Sequence, residues 1–378
     1  MECKDHALIP ANLHYEPQKS DPDSRFLNDN RLFQGIPTVE VTPDGTIYTA
    51  FYGGMDGEMA GNFIVLLKSD IETLSFGEPY LIIEPPTPDC RTFDPCLWRD
   101  PQNRLWLFYA QSYHMADGRM GVWAVVCEDT DSQPIRFSEP RRIANGIMMN
   151  KPTVLSDGTW LLPCAIWIDE ISDDNDLPEE RFSNVYCSHD QGETFELIGH
   201  ADYDDRRVDE HMIVERKDGT LWMLIRGTNG IGQSFSDDKG VTWYGTGYSG
   251  IENPCSRFHI RRLQSGRLLL INHIDFVGGP NNPTNAHGRC RLAAMLSEDV
   301  GRTWPYQLMI DPGMGVSYPD MAQDINGRMY IVYDHGRRGD AKIKLASITE
   351  SDIIAGEIIT PASFLMRVIN RGKEWIPE

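Results

Sequence analysis

Residues 297–304 read S-E-D-V-G-R-T-W, and the same spelling occurs twice more in the chain. Residues 188–195 read S-H-D-Q-G-E-T-F and residues 236–243 read S-D-D-K-G-V-T-W, so all three follow the pattern S-x-D-x-G-x-T-aromatic. The aspartate is placed to accept hydrogen bonds from backbone N–H groups a few residues on, and the glycine supplies a left-handed position. The threonine and the aromatic residue lead into a strand. We therefore interpret each copy as a self-stabilised hairpin corner.

A second repeat indicates how many structural units the chain contains. Turn dipeptides followed by an apolar run begin at positions 44, 102, 157, 218, 265 and 326, about 47 to 61 residues apart. That spacing suits a four-stranded blade with one long loop, and no long segment has helical periodicity. We expect an all-β, six-bladed β-propeller of four-stranded antiparallel blades that fills residues 1–378 as a single domain. Residues 1–30 and 365–378 are expected to be irregular or to close a blade.

Composition limits the partners and the compartment. The formal net charge of −21 argues against a nucleic acid or an anionic membrane surface as partner. Residues 1–6 contain no apolar signal region, and no segment is long and apolar enough to span a membrane. The eight cysteines are scattered without a CxxC pair, which favours buried free thiols and a cytoplasmic protein, or a secreted or periplasmic one if a leader was removed. Neither HExxH nor paired Cys/His spacing occurs, so we expect no cofactor and no metal.

A polar-rich hairpin at residues 209–226 carries candidate chemistry. Glu210 lies near the start of its first strand and Arg226 near the end of the next. Antiparallel pairing places those two ends side by side, so a carboxylate and a guanidinium meet at one end of a blade. Burying an ion pair there costs desolvation free energy, and a ligand-binding role would explain why the pair is present. A structural salt bridge is the alternative.

With these residues the chain resembles the sialidase (neuraminidase) superfamily, six-bladed propellers that carry the S-x-D-x-G-x-T-W "Asp box". Around its catalytic glutamate that family reads like N-E-x-x-x-V-E-L-x-x-G, with an arginine sixteen residues after the first glutamate. Glu210, Val214, Glu215, Gly219 and Arg226 reproduce this spacing. The resemblance implies that Glu210 activates the nucleophile. It also implies that Arg226 belongs to a triad of arginines that binds the substrate carboxylate.

The resemblance extends to three residues in later blades. Arg289 lies eight residues before Ser297, where the family has its next triad arginine. Tyr318, in V-S-Y-P-D at 316–320, matches the nucleophilic tyrosine. Asp334 follows an apolar strand, at the place of the carboxylate that steadies the first arginine.

The first blade departs from the family pattern. The family opens with F/Y-R-I-P, whereas residues 33–37 read F-Q-G-I-P, which puts Gln34 in the substrate-binding set in place of an arginine. Counting eleven residues back from Ser69 gives Glu58 where the family has its acid/base aspartate. Glu58 serves as the acid if burial raises its pKa. Arg91 and Arg337 are candidates to replace the missing arginine.

The resemblance implies a retaining exo-glycosidase that releases a terminal sialic acid or a related acidic sugar, such as another ulosonic or uronic acid. A neutral phenol suits such a substrate because an anionic nucleophile would be repelled by the sugar carboxylate. Arginines bind that carboxylate through paired hydrogen bonds. Two alternatives stay open: a propeller polysaccharide lyase or rhamnosidase-like hydrolase acting on uronate-containing glycans, and a non-catalytic glycan-binding propeller.

Overall fold

The computed structural model describes residues 8–17, 24–113, 117–167, 177–275 and 288–373, so residues 1–6 lie outside the described part. Its strands form six antiparallel sheets, each built from strands consecutive in the chain apart from the first, to which β1 is added. The expectation of an all-β propeller with six four-stranded blades is therefore confirmed.

The first three blades comprise β1 (Asn12–Tyr15), β2 (Phe33–Val41), β3 (Thr46–Gly54), β4 (Phe63–Asp70) and β5 (Leu81–Glu84); β6 (Cys90–Arg99), β7 (Leu105–Tyr113), β8 (Val122–Cys127) and β9 (Arg141–Ala144); β10 (Thr153–Val154), β11 (Trp160–Ala165), β12 (Ser183–Ser188) and β13 (Glu196–Ala201). The last three comprise β14 (Met212–Glu215), β15 (Leu221–Gly227), β16 (Gly230–Ser236) and β17 (Tyr244–Tyr248); β18 (His259–Arg262), β19 (Leu268–His273), β20 (Cys290–Ser297) and β21 (Tyr306–Met314); β22 (Val316–Gln323), β23 (Met329–His335), β24 (Lys342–Ile348) and β25 (Phe364–Arg371). The described helices are α1 (Glu350–Ala355) and the 3₁₀ turns Ser24–Phe26, Asn28–Asn30 and Pro178–Glu180.

The core lies between the faces of neighbouring blades. Trp98 and Trp106 of the second blade pack against Trp160 of the third, and the Trp98 and Trp160 ring centroids are 4.7 Å apart in an edge-to-face arrangement. Strands buried on both faces explain why their sequences are almost continuously apolar. Stacking six such sheets around an axis leaves the ends of the innermost strands free to present polar side chains.

The three S-x-D-x-G-x-T-aromatic segments form the expected corners. In the third blade, Asp190 accepts hydrogen bonds from the backbone N–H of Thr194 (2.9 Å) and from the Ser188 hydroxyl (2.9 Å). The same two contacts recur at Asp238 and Asp299. The prediction of a self-stabilised turn is thus confirmed.

No described sheet combines strands from both ends of the chain, and the first blade is joined to the last by an isolated β-bridge between Phe33 and Arg338 and by side-chain hydrogen bonds. Arg31 and Gln34, from the first blade and its approach, both donate hydrogen bonds to Oδ1 of Asn370 on β25, each at 3.0 Å. Gln34 also donates to the carbonyl of Ala341 at 2.8 Å. All three side chains are buried. Segments near the two termini therefore close the ring through a buried polar cluster.

Two further properties bear on the sequence predictions. Among the described residues, no helix has the length and apolar character to cross a bilayer. The seven described cysteines are all buried and unbridged: Cys90, Cys96, Cys127, Cys164, Cys187, Cys255 and Cys290.

Candidate active site

The site begins with an irregularity that three innermost strands share. The hydrogen-bond ladders of β2, β6 and β22 each shift register at a residue that precedes a proline. Those residues, Ile36, Asp94 and Tyr318, have φ values of 55°, 49° and 56°. Such left-handed backbone is costly for residues other than glycine and persists only where surrounding structure enforces it. The strain marks this end of the axis as a candidate functional site.

Tyr318 lies at the centre of the site and is 4 % exposed. Its hydroxyl donates a 2.6 Å hydrogen bond to Oε1 of Glu210 and accepts one of 2.9 Å from Nη1 of Arg226. The expected meeting of Glu210 and Arg226 is also present, since Nη1 lies 2.6 Å from Oε1. Burial raises the pKa of Tyr318 to about 12 against the lowering effect of Arg226. The phenol is therefore protonated at neutral pH and has a carboxylate in place to take its proton.

Two more arginines surround the phenol ring. The guanidinium carbon of Arg337 is 4.0 Å from the Tyr318 ring centroid, and that of Arg289 is 5.3 Å from it. Burial lowers the pKa of Arg289. Together with Arg226, these side chains place three cations around one neutral phenol, and Arg257 adds a fourth at 5.4 Å from the ring centroid. Such an arrangement favours an anionic ligand and stabilises negative charge on the phenol oxygen.

Asp334 holds Arg337 in place and does not face outward. It is fully buried, and its Oδ2 accepts hydrogen bonds from Nε of Arg337 (2.7 Å) and from the backbone N–H of Ile36 (2.9 Å). Its Oδ1 accepts one from the Ser317 hydroxyl at 2.6 Å. Both carboxylate oxygens are thus engaged within the protein. Asp334 positions an arginine and two strands, rather than offering an oxygen to a substrate.

The structure does not bring Gln34 into this cluster. Neighbouring residues on a strand point to opposite faces, so Gln34 turns towards Arg31 and Asn370 while Gly35 turns towards the site. A Cβ atom at Gly35 would lie 2.7 Å from both Cγ and Cδ of Arg337. The residue directly before I-P is therefore the site-facing one. The placement of Gln34 in the substrate-binding set is therefore corrected: the position that faces the site is Gly35, one residue later.

Glu58 lies at the edge of the site, with 37 % of its side chain exposed. Its Oε1 accepts a 3.0 Å hydrogen bond from Nη1 of Arg337. Burial alone would raise the pKa of Glu58, but Arg337 and Arg91 outweigh burial and hold that pKa below its ordinary value. The expectation of a raised pKa is wrong for the ligand-free protein. Arg91 itself is 1 % exposed and lies over the Phe93 ring, 3.6 Å from its centroid.

The sequence reasoning missed Asp94. This carboxyl is 1 % exposed, and burial raises its pKa to about 7 against the lowering effect of Arg91, with Glu58 and Glu210 adding to the rise. Its Oδ1 has no hydrogen-bond partner within the described part of the chain. One signal was available: the Asp94–Pro95 dipeptide repeats the residue–proline pattern of Tyr318 in another blade.

The sequence reasoning also missed Arg257, which holds the backbone of the nucleophile candidate, Tyr318. Its guanidinium donates to four backbone carbonyls from separate parts of the ring: Pro37 (3.1 Å), Met149 (3.0 Å), Tyr318 (3.2 Å) and Pro319 (3.0 Å). It is 1 % exposed. Arg257 therefore ties the strained Tyr318–Pro319 backbone to the first and third blades.

Solved structures of sialidases share this fold. The Hadza microbial sialidase Hz136 matches with a TM-score of 0.65 at 17% identity, covering 86% of this chain and 67% of that one. The intramolecular trans-sialidase from Ruminococcus gnavus matches with a TM-score of 0.62 at 13% identity, covering 93% and 99%. The leech intramolecular trans-sialidase matches with a TM-score of 0.61 at 14% identity, covering 92% and 71%. At these identities the likeness concerns the fold.

The family comparison is more direct. A search of curated proteins found no match. Residues 44–331, well over half of the chain, match the family described as BNR repeat-like domain. The six blades and the three Asp-box corners agree with that assignment. The chain therefore belongs to the BNR repeat-like domain family.

Proposed function

We propose that the chain is a retaining exo-glycosidase of sialidase type, which releases a terminal sialic acid or a related acidic sugar. The observation that carries this proposal is the buried hydroxyl of Tyr318, bonded to Glu210 at 2.6 Å and surrounded by arginines. A structural salt bridge between Glu210 and Arg226 would not need a strained tyrosine between blades. The named activities of the structural neighbours, sialidase and intramolecular trans-sialidase, are of the same kind.

Substrate binding would use the three arginines. Arg226, Arg289 and Arg337 approach Tyr318 from three blades, so a sugar carboxylate placed over the phenol would meet forked donors on several sides. Arg337 would take the place of the arginine that the family carries before I-P, since its side chain fills the space left open at Gly35. Asp94, whose Oδ1 has no hydrogen-bond partner among the described residues, would bind a sugar hydroxyl.

The first chemical step would form a glycosyl-tyrosine. The oxygen of Tyr318 attacks the anomeric carbon, and its proton passes to Glu210, which is already within hydrogen-bond reach. The glycosidic C–O bond breaks, and Glu58 gives a proton to the leaving oxygen. Arg226 stabilises the negative charge that develops on the phenol oxygen during this transfer.

The second step would return the enzyme to its starting state. Glu58, now a carboxylate, takes a proton from a water molecule that attacks the anomeric carbon. The C–O bond to Tyr318 breaks, and Glu210 returns the proton to the phenolate. The sugar leaves with its original anomeric configuration after two displacements at one carbon.

The negative charge of the substrate would favour the protonated form of Glu58. In the free protein Arg337 and Arg91 hold its pKa down. A bound carboxylate neutralises part of that positive charge, so the pKa of Glu58 rises when substrate binds. A neutral sugar would not raise the pKa of Glu58. The site would therefore favour acidic sugars in catalysis as well as in binding.

The experiment that tests the function is a panel of aryl glycosides of sialic acid, deaminated sialic acid, glucuronic acid and neutral galactose. We expect release of the aryl alcohol from at least one acidic glycoside and none from the neutral one. Product absorbance from an unsaturated uronate would instead indicate a lyase. Saturable binding of an acidic sugar with no turnover at any enzyme concentration would indicate a binding propeller.

A further inference from the structure

Three side chains on the third blade, outside the site at the axis, bring together a sulfur, a nitrogen and an oxygen. Sγ of Cys187 lies 3.5 Å from Nε2 of His189 and 3.7 Å from Oε1 of Glu196. The third side of the triangle, from Nε2 to Oε1, measures 4.0 Å. The side chains of His189 and Glu196 are 64 % and 68 % exposed, whereas Cys187 is buried beneath them. One face of the triangle is therefore open to solvent.

The triangle has the dimensions of a tetrahedral metal site. Zinc binds sulfur at ~2.3 Å and imidazole nitrogen or carboxylate oxygen at ~2.1 Å, so tetrahedral angles would separate the donors by ~3.6 Å for S–N, ~3.6 Å for S–O and ~3.4 Å for N–O. The observed S–N and S–O distances of 3.5 Å and 3.7 Å agree with those values. The N–O distance needs only a small rotation of two exposed side chains. Thiolate, imidazole and carboxylate donors together suit zinc and similar ions rather than calcium or magnesium.

The backbone holds these donors in place. Cys187 and Glu196 are directly paired residues on β12 and β13, and His189 lies in the Asp-box turn between them. That turn is fixed by the contacts of Asp190 with Ser188 and Thr194. Little backbone freedom would therefore be lost when an ion binds, and the ordering cost would fall on the exposed side chains of His189 and Glu196.

A neighbouring side chain orients the imidazole. The hydroxyl of Thr159 lies 3.2 Å from Nδ1 of His189. A hydrogen bond at one ring nitrogen sets the orientation of the ring and leaves the other nitrogen to bind the metal. In His189 that other nitrogen is Nε2, which faces Cys187 and Glu196.

The other two Asp boxes show that the turn itself does not require these donors. The three residues sit one before, one after and eight after the box serine. The equivalent residues are Phe235, Asp237 and Tyr244 in the fourth blade and Leu296, Glu298 and Pro305 in the fifth. Those corners close with the same Ser–Asp–Thr contacts. A Cys-His-Glu set at all three positions is thus particular to the third blade.

We propose that Cys187, His189 and Glu196 bind a divalent metal ion of the zinc class, with a water molecule in the fourth position. The ion would link β12 to β13 at the outer part of the third blade and stabilise that hairpin. This site revises the expectation of no metal, which relied on paired Cys/His spacing. The spacing here is C-x-H-x₆-E, and only the hairpin brings its ends together.

Metal binding should release a proton. A cysteine binds zinc as a thiolate, so the Cys187 thiol must lose its proton to become a ligand. Affinity should therefore rise with pH. The enthalpy of binding should depend on the ionisation enthalpy of the buffer, with a slope near one proton per ion.

The test titrates Co²⁺ into the full chain after treatment with a chelator, follows the thiolate-to-cobalt charge-transfer absorption, and then displaces cobalt with Zn²⁺. We expect one ion per chain and a rise in melting temperature with Zn²⁺. His189→Ala changes an exposed side chain, so the variant should fold while its affinity falls at least about tenfold. Asp237→Ala, the equivalent change in the fourth blade, is the matched control and should bind as wild type does. Absence of the charge-transfer band in wild type, or equal affinity in His189→Ala, would overturn the proposal.

Discussion

Arg337 occupies the space that a side chain at Gly35 would fill: a Cβ atom at Gly35 would lie 2.7 Å from Cγ and Cδ of Arg337. The sialidase pattern that the chain resembles has an arginine on the innermost strand of the first blade at this position. Here the guanidinium arrives instead from the segment after β23, held by Asp334 at 2.7 Å and by Glu58 at 3.0 Å. We propose that one arginine has been exchanged between two blades, with Arg337 in the place of the first-blade arginine.

This exchange predicts a reciprocal pair of variants. Arg337→Ala should lower kcat/KM for the acidic substrate by roughly 10- to 100-fold, because a charge-assisted hydrogen bond is lost. Gly35→Arg alone should also lose activity, since two side chains compete for one space. The double variant should recover part of the loss, measured as kcat/KM with folding checked by circular dichroism. A double variant no better than Arg337→Ala would contradict the exchange.

Gln34 should contribute to stability and not to substrate binding. Gln34→Ala removes buried hydrogen bonds to Asn370 and Ala341, so the free energy of unfolding should fall by about 1–3 kcal/mol. KM should stay within about twofold of wild type at a temperature where the variant is folded, because the Gln34 side chain bonds to Arg31, Ala341 and Asn370 and turns away from the site. Denaturant unfolding and steady-state kinetics on the same preparation separate the two effects. A large rise in KM with unchanged stability would restore Gln34 to the substrate-binding set.

Glu58 should matter most for poor leaving groups. Glu58→Gln removes the proton donor, which should slow release of a sugar aglycone by about 10²–10⁴-fold. Cleavage of a nitrophenyl glycoside should fall much less in the glycosylation step, because that leaving group needs little protonation. The comparison of the two substrates under single-turnover conditions is the measurement. Equal losses on both substrates would argue that Glu58 does not act as the acid.

Asp94 should make stability depend on pH. Its pKa is raised from 3.8 to about 7 on folding, so between those values the folded state binds a proton that the unfolded state does not. This contribution is fully present below pH 4 and is lost as pH rises towards 7. Asp94→Asn should therefore become more stable relative to wild type across that range, by a few kcal/mol. Denaturant unfolding at several pH values measures the difference. Asp237→Asn, a change of the same kind at an exposed position, is the matched control.

Arg257 should hold the backbone of Tyr318 in its strained form. Arg257→Met leaves four buried carbonyls without their donor, so the free energy of unfolding should fall by about 2–4 kcal/mol. Among folded molecules, kcat should fall more than KM rises, because the nucleophile loses its placement. Arg257→Lys should restore part of kcat. A variant with reduced stability and unchanged kcat would show that Arg257 is structural only.

Sequence reasoning reached the fold because its signals are local. The S-x-D-x-G-x-T-aromatic corner is formed by contacts within eight residues, and the turn–strand repeat counts the blades without any long-range information. The pair of Glu210 and Arg226 was also accessible, since one hairpin connects them. Each of these features depends on short stretches of chain.

The remaining features required the closed ring. The motif F-Q-G-I-P leaves open whether Gln34 or Gly35 faces the site. Only the packing of the last blade on the first resolves this choice. Burial within the closed ring raises the pKa of Asp94, whereas Arg337 and Arg91, on other blades, lower the pKa of Glu58. Arg257 donates hydrogen bonds to backbone carbonyls, and such contacts cannot be predicted from a sequence pattern.

The central claim is that Tyr318 is the nucleophile and Glu210 its base. The most direct measurement is mass spectrometry of the enzyme quenched during turnover of an acidic aryl glycoside that proves to be a substrate, or of its fluorinated, slowly hydrolysed analogue. We predict a glycosyl adduct on the peptide that contains Tyr318, and a loss of at least about 10³-fold in kcat for Tyr318→Phe. An adduct on another residue, or a Tyr318→Phe variant that keeps full activity, would contradict the account.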